Sequence, residues 1–289
     1  MELDSRGDSD RVVSCDWLAA HVSDSDVRVF DATIHLRRTG EVESGRADYL
    51  AGHVSGAGFL DHVSDLSDAE SSVSYTRLAP EQLAAAFARA GVSDDSRVVV
   101  YSSSHVMWAT RAFWLLRGIG FDRVSVLDGG LADWKKRDLP VSADPCAYTA
   151  GRLSIRPRAE VWADRDEVLA AIGNRGVCTI NALPRALHRG EAEMHYGRRG
   201  HVSGSDNVPF TAVVDAETGC FEQPAAWRAA FDAVGVFDRE RAITYCGGGI
   251  SATVDAFALL ALGHPNVAVY DGSLLEWGSD ATLPMETGD

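Results

Sequence analysis

Little in this chain suits a membrane or a nucleic acid. No window approaches the roughly 20 uninterrupted apolar residues of a bilayer-spanning helix, although 46% of the 289 residues are hydrophobic. Basic residues are scarce: 27 Lys and Arg stand against 42 Asp and Glu, a formal net charge of −15 at pH 7. Nucleic acids and anionic bilayers recruit proteins through positive surface, so neither is an expected partner. Cysteine is sparse as well. Cys15, Cys146, Cys178, Cys220 and Cys246 are widely spaced, and an odd number cannot all pair within one chain. No CxxC pair or Cys/His cluster has zinc-site spacing, so no metal is expected. The opening MELDSRGDSD lacks the basic stretch and apolar run of a secretory leader. Neither a GxxxxGK[ST] phosphate loop nor a GxSxG hydrolase elbow occurs. These absences predict a reduced, cytoplasmic enzyme without metal or organic cofactor.

What the chain does contain is one unit written twice. Gly52-His53-Val54-Ser55-Gly56 returns 148 residues later as Gly200-His201-Val202-Ser203-Gly204. Leu127-Asp128-Gly129-Gly130 with Trp134 returns as Tyr270-Asp271-Gly272-Ser273 with Trp277, offset by 143. Between these markers each half has an apolar β-like run, a loop and an apolar helix-like run: Val98–Tyr101 before Ala109–Leu116, and Ala242–Tyr245 before Ala252–Leu262. Val27–Phe30 and Val177–Ile180 read as further buried strands. Pro80 to Ala90 reads as a helix, with Pro in its first turn, Gly91 beyond its end and Leu83 and Phe87 on one face. Alternating β and α signals predict an α/β class, with a mainly parallel sheet flanked by helices in each copy. The predicted domains are residues 10–143 and 155–286, joined by a linker within 140–157 that carries Pro140, Pro145, Gly151 and Pro157.

Chemistry concentrates in Cys246-Gly247-Gly248-Gly249-Ile250-Ser251, between a strand and an apolar helix. Ligands in open α/β sheets bind beyond the carboxyl ends of strands. Three glycines let the backbone curl so that several N–H groups converge, and the following helix adds its positive end. Such a nest favours thiolate over thiol and cradles an anion or an extra sulfur on the cysteine. An isolated cysteine is more often buried and inert; strand, cysteine, glycines and helix together favour the nucleophile.

On these residues the chain resembles the rhodanese family, specifically the two-domain sulfurtransferases acting on thiosulfate or 3-mercaptopyruvate. The resemblance runs from about Cys15 to Pro284. It is carried by the 246–252 loop, the paired His-Val-Ser-Gly segments, Asp31-Ala32-Thr33, Phe59-Leu60-Asp61 and Leu127–Gly130. It implies two tandem rhodanese-like domains, with Cys246 taking sulfane sulfur as a persulfide held by Gly247, Gly248, Gly249, Ile250 and Ser251. It further implies a small anionic donor and an acceptor that is cyanide, a small thiol or a thioredoxin-like protein. The first domain is expected to be silent, since its matching loop, Ser102-Ser103-Ser104-His105, has no cysteine. Thiosulfate-preferring members carry basic residues where this chain has Gly247 and Gly248, and mercaptopyruvate-preferring members carry Ser or Thr at the second position. The family's substrate arginine falls at Leu187. Arg189 and Arg198 are therefore the expected anion-binding groups, because arginine clamps carboxylates bidentately.

Other readings fit parts of the chain. Gly247-x-Gly249-x-x-Ala252 satisfies a dinucleotide fingerprint, with Asp271 lying 19 residues beyond. Only 18 residues follow Asp271, too few to complete such a fold, and Asp128 repeats it in the copy whose matching loop, Ser102-Ser103-Ser104-His105, has no glycine. A cysteine phosphatase needs an arginine where this chain has Ala252. A non-catalytic duplicated scaffold that binds a partner is the remaining alternative. His53 and His201 occupy matching positions and are expected in a turn or an interdomain hydrogen bond; Trp134 and Trp277 are expected in core or interface packing. Asp31 and Asn181 fit strand-end hydrogen bonds, and Ser251 either caps the next helix or donates to the persulfide.

Overall fold

The computed structural model describes residues 11–36 and 42–288; residues 1–10, scanned above for a leader, lie outside them. The chain forms two compact units, Met1–Asp61 with Pro80–Arg156 and His62–Ala79 with Pro157–Asp289. The first contains a five-stranded sheet of β1 (Val12–Val13), β2 (Val27–Asp31), β3 (Gly58–Phe59), β4 (Arg97–Tyr101) and β5 (Val124–Leu127) in the order β1-β5-β4-β2-β3. The second contains β6 (Trp162–Ala163), β7 (Val177–Asn181), β8 (Asp206–Asn207), β9 (Arg241–Tyr245) and β10 (Val267–Tyr270) in the order β6-β10-β9-β7-β8. The order is the same in both, and all pairings within these two sheets are parallel. Registers correspond as well: Asp31 lies opposite Tyr101 in one sheet and Asn181 opposite Tyr245 in the other.

Parallel sheets are covered on both faces, so their strands carry unbroken apolar runs. Val98, Val99, Val100, Ala242 and Ile243 are all buried. In the first unit α1 (Cys15–His21), α2 (Arg46–Ala51), α3 (Pro80–Arg89), α4 (Val106–Gly118) and α5 (Gly130–Lys136) follow in chain order. In the second, α6 (Arg165–Ala171), α7 (Arg185–His188), α8 (Pro224–Asp232), α9 (Ala252–Ala261) and α10 (Ser273–Trp277) do so. The α3 helix turns Leu83, Ala84, Ala86 and Phe87 inward. Ser14 and Asp164 cap α1 and α6 by accepting the N–H groups of Trp17 and Glu167. Full burial of each large apolar side chain contributes about 1.5–3 kcal/mol, and Leu18, Val29, Tyr101, Leu127 and Trp134 form one such cluster.

The duplication extends to single hydrogen bonds. Trp134 and Trp277, both buried, donate Nε1–H to the carbonyls of Pro140 (2.8 Å) and Pro284 (3.0 Å). His53 stacks on Tyr49 with Nδ1 2.6 Å from the Tyr49 carbonyl; His201 stacks on His188 with Nδ1 2.8 Å from its carbonyl. Both histidines hold turns. Asp31 and Asn181 accept the N–H groups two residues on, from Thr33 (2.9 Å) and Leu183 (3.0 Å), closing the bend that leaves each strand.

The segment 62–79 lies in the first half of the sequence but packs in the second unit. There the Arg77 N–H donates to the Asp271 carboxylate at 3.0 Å, and its guanidinium sits 4.8 Å from the Trp162 ring centre. No helix among the described residues is long and apolar enough to cross a membrane.

Candidate active site

Cys246 directly follows β9, which lies between β10 and β7 at the centre of its sheet. The loop 246–251 thus emerges at the carboxyl end of a central strand and runs into α9. Its carbonyls are fixed from α10: Leu274 N–H donates to the Cys246 carbonyl at 3.1 Å, and Leu275 N–H to that of Gly247 at 2.8 Å. The Cys246 N–H donates to Ser273 Oγ at 3.1 Å, and this hydroxyl donates onward to the Tyr270 carbonyl at 2.8 Å. Ser273 holds φ = +49°, a left-handed conformation costing a non-glycine residue about 1–2 kcal/mol, which its two hydrogen bonds offset.

With two of the loop's carbonyls tied down, four of its amides are left over. Gly247, Gly248, Ile250 and Ser251 give their N–H groups to no acceptor among the described residues. Gly249 is the turning point. It has φ = +74°, and a Cβ there would lie 2.4 Å from the Asp271 carbonyl, so only glycine fits. Ser251 stands at the α9 N-cap, yet its side chain makes no cap hydrogen bond. Of its two expected roles, capping is not the one adopted.

The corresponding loop of the first unit has a different economy. Ser103 N–H donates to Thr33 Oγ1 (2.7 Å), Ser104 and His105 N–H to Ser102 Oγ (3.3 Å each), and Met107 N–H to His105 Nδ1 (3.2 Å). Side chains consume the amides that remain open around Cys246.

Two further groups flank the cysteine loop. A Cβ on Gly247 would lie 2.2 Å from Tyr196 Cζ, so the phenol ring occupies that space; a Cβ on Gly248 would lie 3.0 Å from Leu275 Cδ1. Burial, then the nearby Cys246, push the Tyr196 hydroxyl up to about 12. The sequence assigns Arg198 to a substrate anion. The structure instead commits its Nε and Nη2 to main-chain carbonyls of Trp277, Gly278, Asp280 and Leu283, the shortest at 2.7 Å. Four carbonyl oxygens occupy its Nε and Nη2 donors, leaving Nη1, and Arg198 braces the chain after α10. Arg189 pairs with Glu191 at 3.1 Å. Cys178 lies within β7, with its thiol, pushed up to about 12 by burial and then by Asp206, donating to that carboxylate at 3.6 Å.

Comparison with known proteins decides the family. The rhodanese-like domain model matches residues 14–137 and 188–280. The chain belongs to the rhodanese family. This rhodanese is 35% identical to the 3-mercaptopyruvate sulfurtransferase of Escherichia coli over 277 residues, 95% of this chain and 97% of that one. It is 29% identical to the sulfur carrier protein TtuD of Thermus thermophilus, covering 96% of this chain and 97% of that one. The crystal structure of SseA from Escherichia coli superposes with a TM-score of 0.81 at 33% identity, covering 92% of this chain and 99% of that one. A dinucleotide fold is thereby excluded, and Asp271, its acidic landmark, receives the Arg77 N–H.

Reasoning from sequence overlooked two residues that the fold places against the loop. Ser273 carried a signal, because its repeat partner is Gly130. Both positions are left-handed, at φ = +49° and +53°, yet only the second copy has a hydroxyl there. Tyr196 carried none, since it lies in an irregular stretch between α7 and the His201–Val202 strand.

Proposed function

We propose that this sulfurtransferase uses Cys246 as its nucleophile and carries sulfur as a Cys246 persulfide. With 3-mercaptopyruvate, the thiolate attacks the donor's sulfur and forms the S–S bond. The C–S electron pair leaves on carbon as the enolate of pyruvate, which takes up the donor's thiol proton. With thiosulfate, the outer sulfur is transferred and sulfite leaves with the S–S pair. Cyanide, a small thiol or a thioredoxin-like protein then removes the sulfur and regenerates the thiolate. Two half-reactions through one covalent intermediate predict ping-pong kinetics.

The observation that carries this reading is the set of unclaimed N–H groups at Gly247, Gly248, Ile250 and Ser251 beside Cys246. Fixed dipoles aimed at developing charge need no reorganisation during reaction, and a persulfide anion is such a charge. We favour 3-mercaptopyruvate as donor because Gly247 and Gly248 offer no cation for a sulfite leaving group. The name of the Escherichia coli relative agrees. We assign the donor carboxylate to Arg189, whose partner Glu191 is largely exposed and displaceable. Domain 155–286 is then the catalytic copy and domain 10–143 the silent one. The five free cysteines suit a reducing compartment such as the cytoplasm.

The test is to incubate the protein with each donor and weigh it. A gain of about 32 Da, one sulfur, is expected on the wild type and not on Cys246→Ser. No gain from either donor, or a gain that survives the substitution, overturns the assignment.

A further inference from the structure

The space above Gly247, where a basic side chain could have stood beside the nucleophile, is filled by a neutral phenol. The Tyr196 ring is held there by its own turn. Its carbonyl accepts the Arg198 N–H at 2.9 Å, and a Cβ on Gly278 would lie 2.1 Å from that carbonyl, so the turn is pressed onto the end of α10. Arg198 fastens it by bonding the carbonyls of Trp277, Gly278, Asp280 and Leu283. The same short helix α10 holds the Cys246 and Gly247 carbonyls through Leu274 and Leu275. One platform therefore fixes both the nucleophile and the phenol. Cζ, the ring carbon bearing the hydroxyl, is the atom nearest the missing Gly247 side chain. The hydroxyl has no partner among the described residues, and the residue is only partly buried. The Oη–H is therefore available to a bound molecule.

We propose that the Tyr196 hydroxyl donates a hydrogen bond to the ketone oxygen of a β-mercapto-α-keto acid as its C–S bond breaks, selecting this class of donor over thiosulfate. The inference rests on Cys246 being the nucleophile. As the Cys246 thiolate bonds to the donor's sulfur, the C–S pair delocalises from the CH2 carbon onto the ketone oxygen, giving an enolate. The phenol keeps its proton and shares it with that oxygen. The donor's thiol proton then goes to carbon, leaving pyruvate and the Cys246 persulfide anion. A phenol whose acidity is suppressed suits this role, because it stays a donor and adds no charge of its own. Sulfite, leaving as a dianion without a ketone, gains far less from one neutral donor.

Tyr196→Phe keeps the ring over Gly247 and removes only the hydroxyl. Pyruvate release from 3-mercaptopyruvate and sulfite release from thiosulfate are measured under single turnover, with the Cys246 adduct weighed in each case. Loss of one donor to a developing oxyanion predicts a fall of roughly 10²-fold in the mercaptopyruvate rate and a much smaller fall with thiosulfate. Tyr196→Phe matching the wild type with both donors, or losing equally on both, overturns the proposal while the wild-type adduct leaves the Cys246 reading intact. A wild type that takes no sulfur from either donor overturns both. Should Tyr196→Ala lose activity while Tyr196→Phe does not, the ring is packing alone and the hydroxyl has no such role.

Discussion

Ser273 and Gly130 occupy one backbone position in the two copies, and the difference between them is one hydroxymethyl group. In the second copy that hydroxyl accepts the Cys246 N–H. Ser273→Gly should relieve left-handed strain of about 1–2 kcal/mol while losing hydrogen bonds worth about 1 kcal/mol each. Stability should therefore barely change, as chemical denaturation would report, while sulfur uptake slows by roughly tenfold as the cysteine loses its anchor. A large drop in stability with unchanged uptake would show the hydroxyl to be purely structural. The two arginines separate by the same logic. Arg198→Ala should lower stability by about 1–3 kcal/mol, because four carbonyls lose their donor, whereas Arg189→Ala should raise the KM for 3-mercaptopyruvate and leave stability unchanged. Steady-state kinetics beside thermal melts distinguish them, and an unchanged KM in Arg189→Ala removes that residue from the site.

At the scale of elements, the decisive contrast is between two strand-loop-helix units with the same connection. The 102–107 loop spends N–H groups on Thr33, Ser102 and His105 side chains, while the 246–251 loop leaves those of Gly247, Gly248, Ile250 and Ser251 unspent among the described residues. Adding a thiol to the first copy should therefore not awaken it. Ser102→Cys, made with Cys246→Ser, removes the hydroxyl that takes the Ser104 and His105 N–H groups but leaves those of Ser103 and Met107 on Thr33 and His105. It is expected to gain no sulfur from either donor by mass spectrometry, and a gain would show that these two remaining contacts do not silence the loop. Much of this element was legible beforehand. A buried strand, a cysteine and three glycines specify a turn with exposed amides by local chemistry alone. Strands and helices were legible because valine runs and helical periodicity are local too. The fates of Arg198 and Tyr196 were not, since each depends on α10 lying alongside, a tertiary contact that leaves no mark in nearby sequence. Arginine beside a presumed anion site looks the same in sequence whether it meets a substrate or four carbonyls.

Across the whole molecule, stability has one conspicuous weak point. Asp255 on α9 is fully buried, and neither carboxylate oxygen has a partner among the described residues. Burial raises its pKa well above the ordinary 3.8, so the folded protein holds a proton there that the unfolded chain releases. The unfolded state binds fewer protons above pH 4 or so, and stability must fall as pH rises from that point toward the folded pKa. Asp255→Val removes the orphaned oxygens and should stabilise by about 1–3 kcal/mol. The gain should be larger at pH 8 than at pH 5, and melts at the two pH values would expose an equal or reversed difference. The repeat could be seen in the sequence. The placement of 62–79 in the second unit could not, because Arg77 meets Asp271 across 194 residues.

That placement makes the duplication interlaced. The chain passes between the units three times, at 61–62, 79–80 and 156–157, so a cut in the linker severs only one passage. The resulting N-terminal fragment would still own the strip that lies against Asp271 and Trp162. A nicked molecule should therefore run as one particle under native conditions and fall into two only in denaturant. The second repeat expressed alone would lack a piece of its own wall.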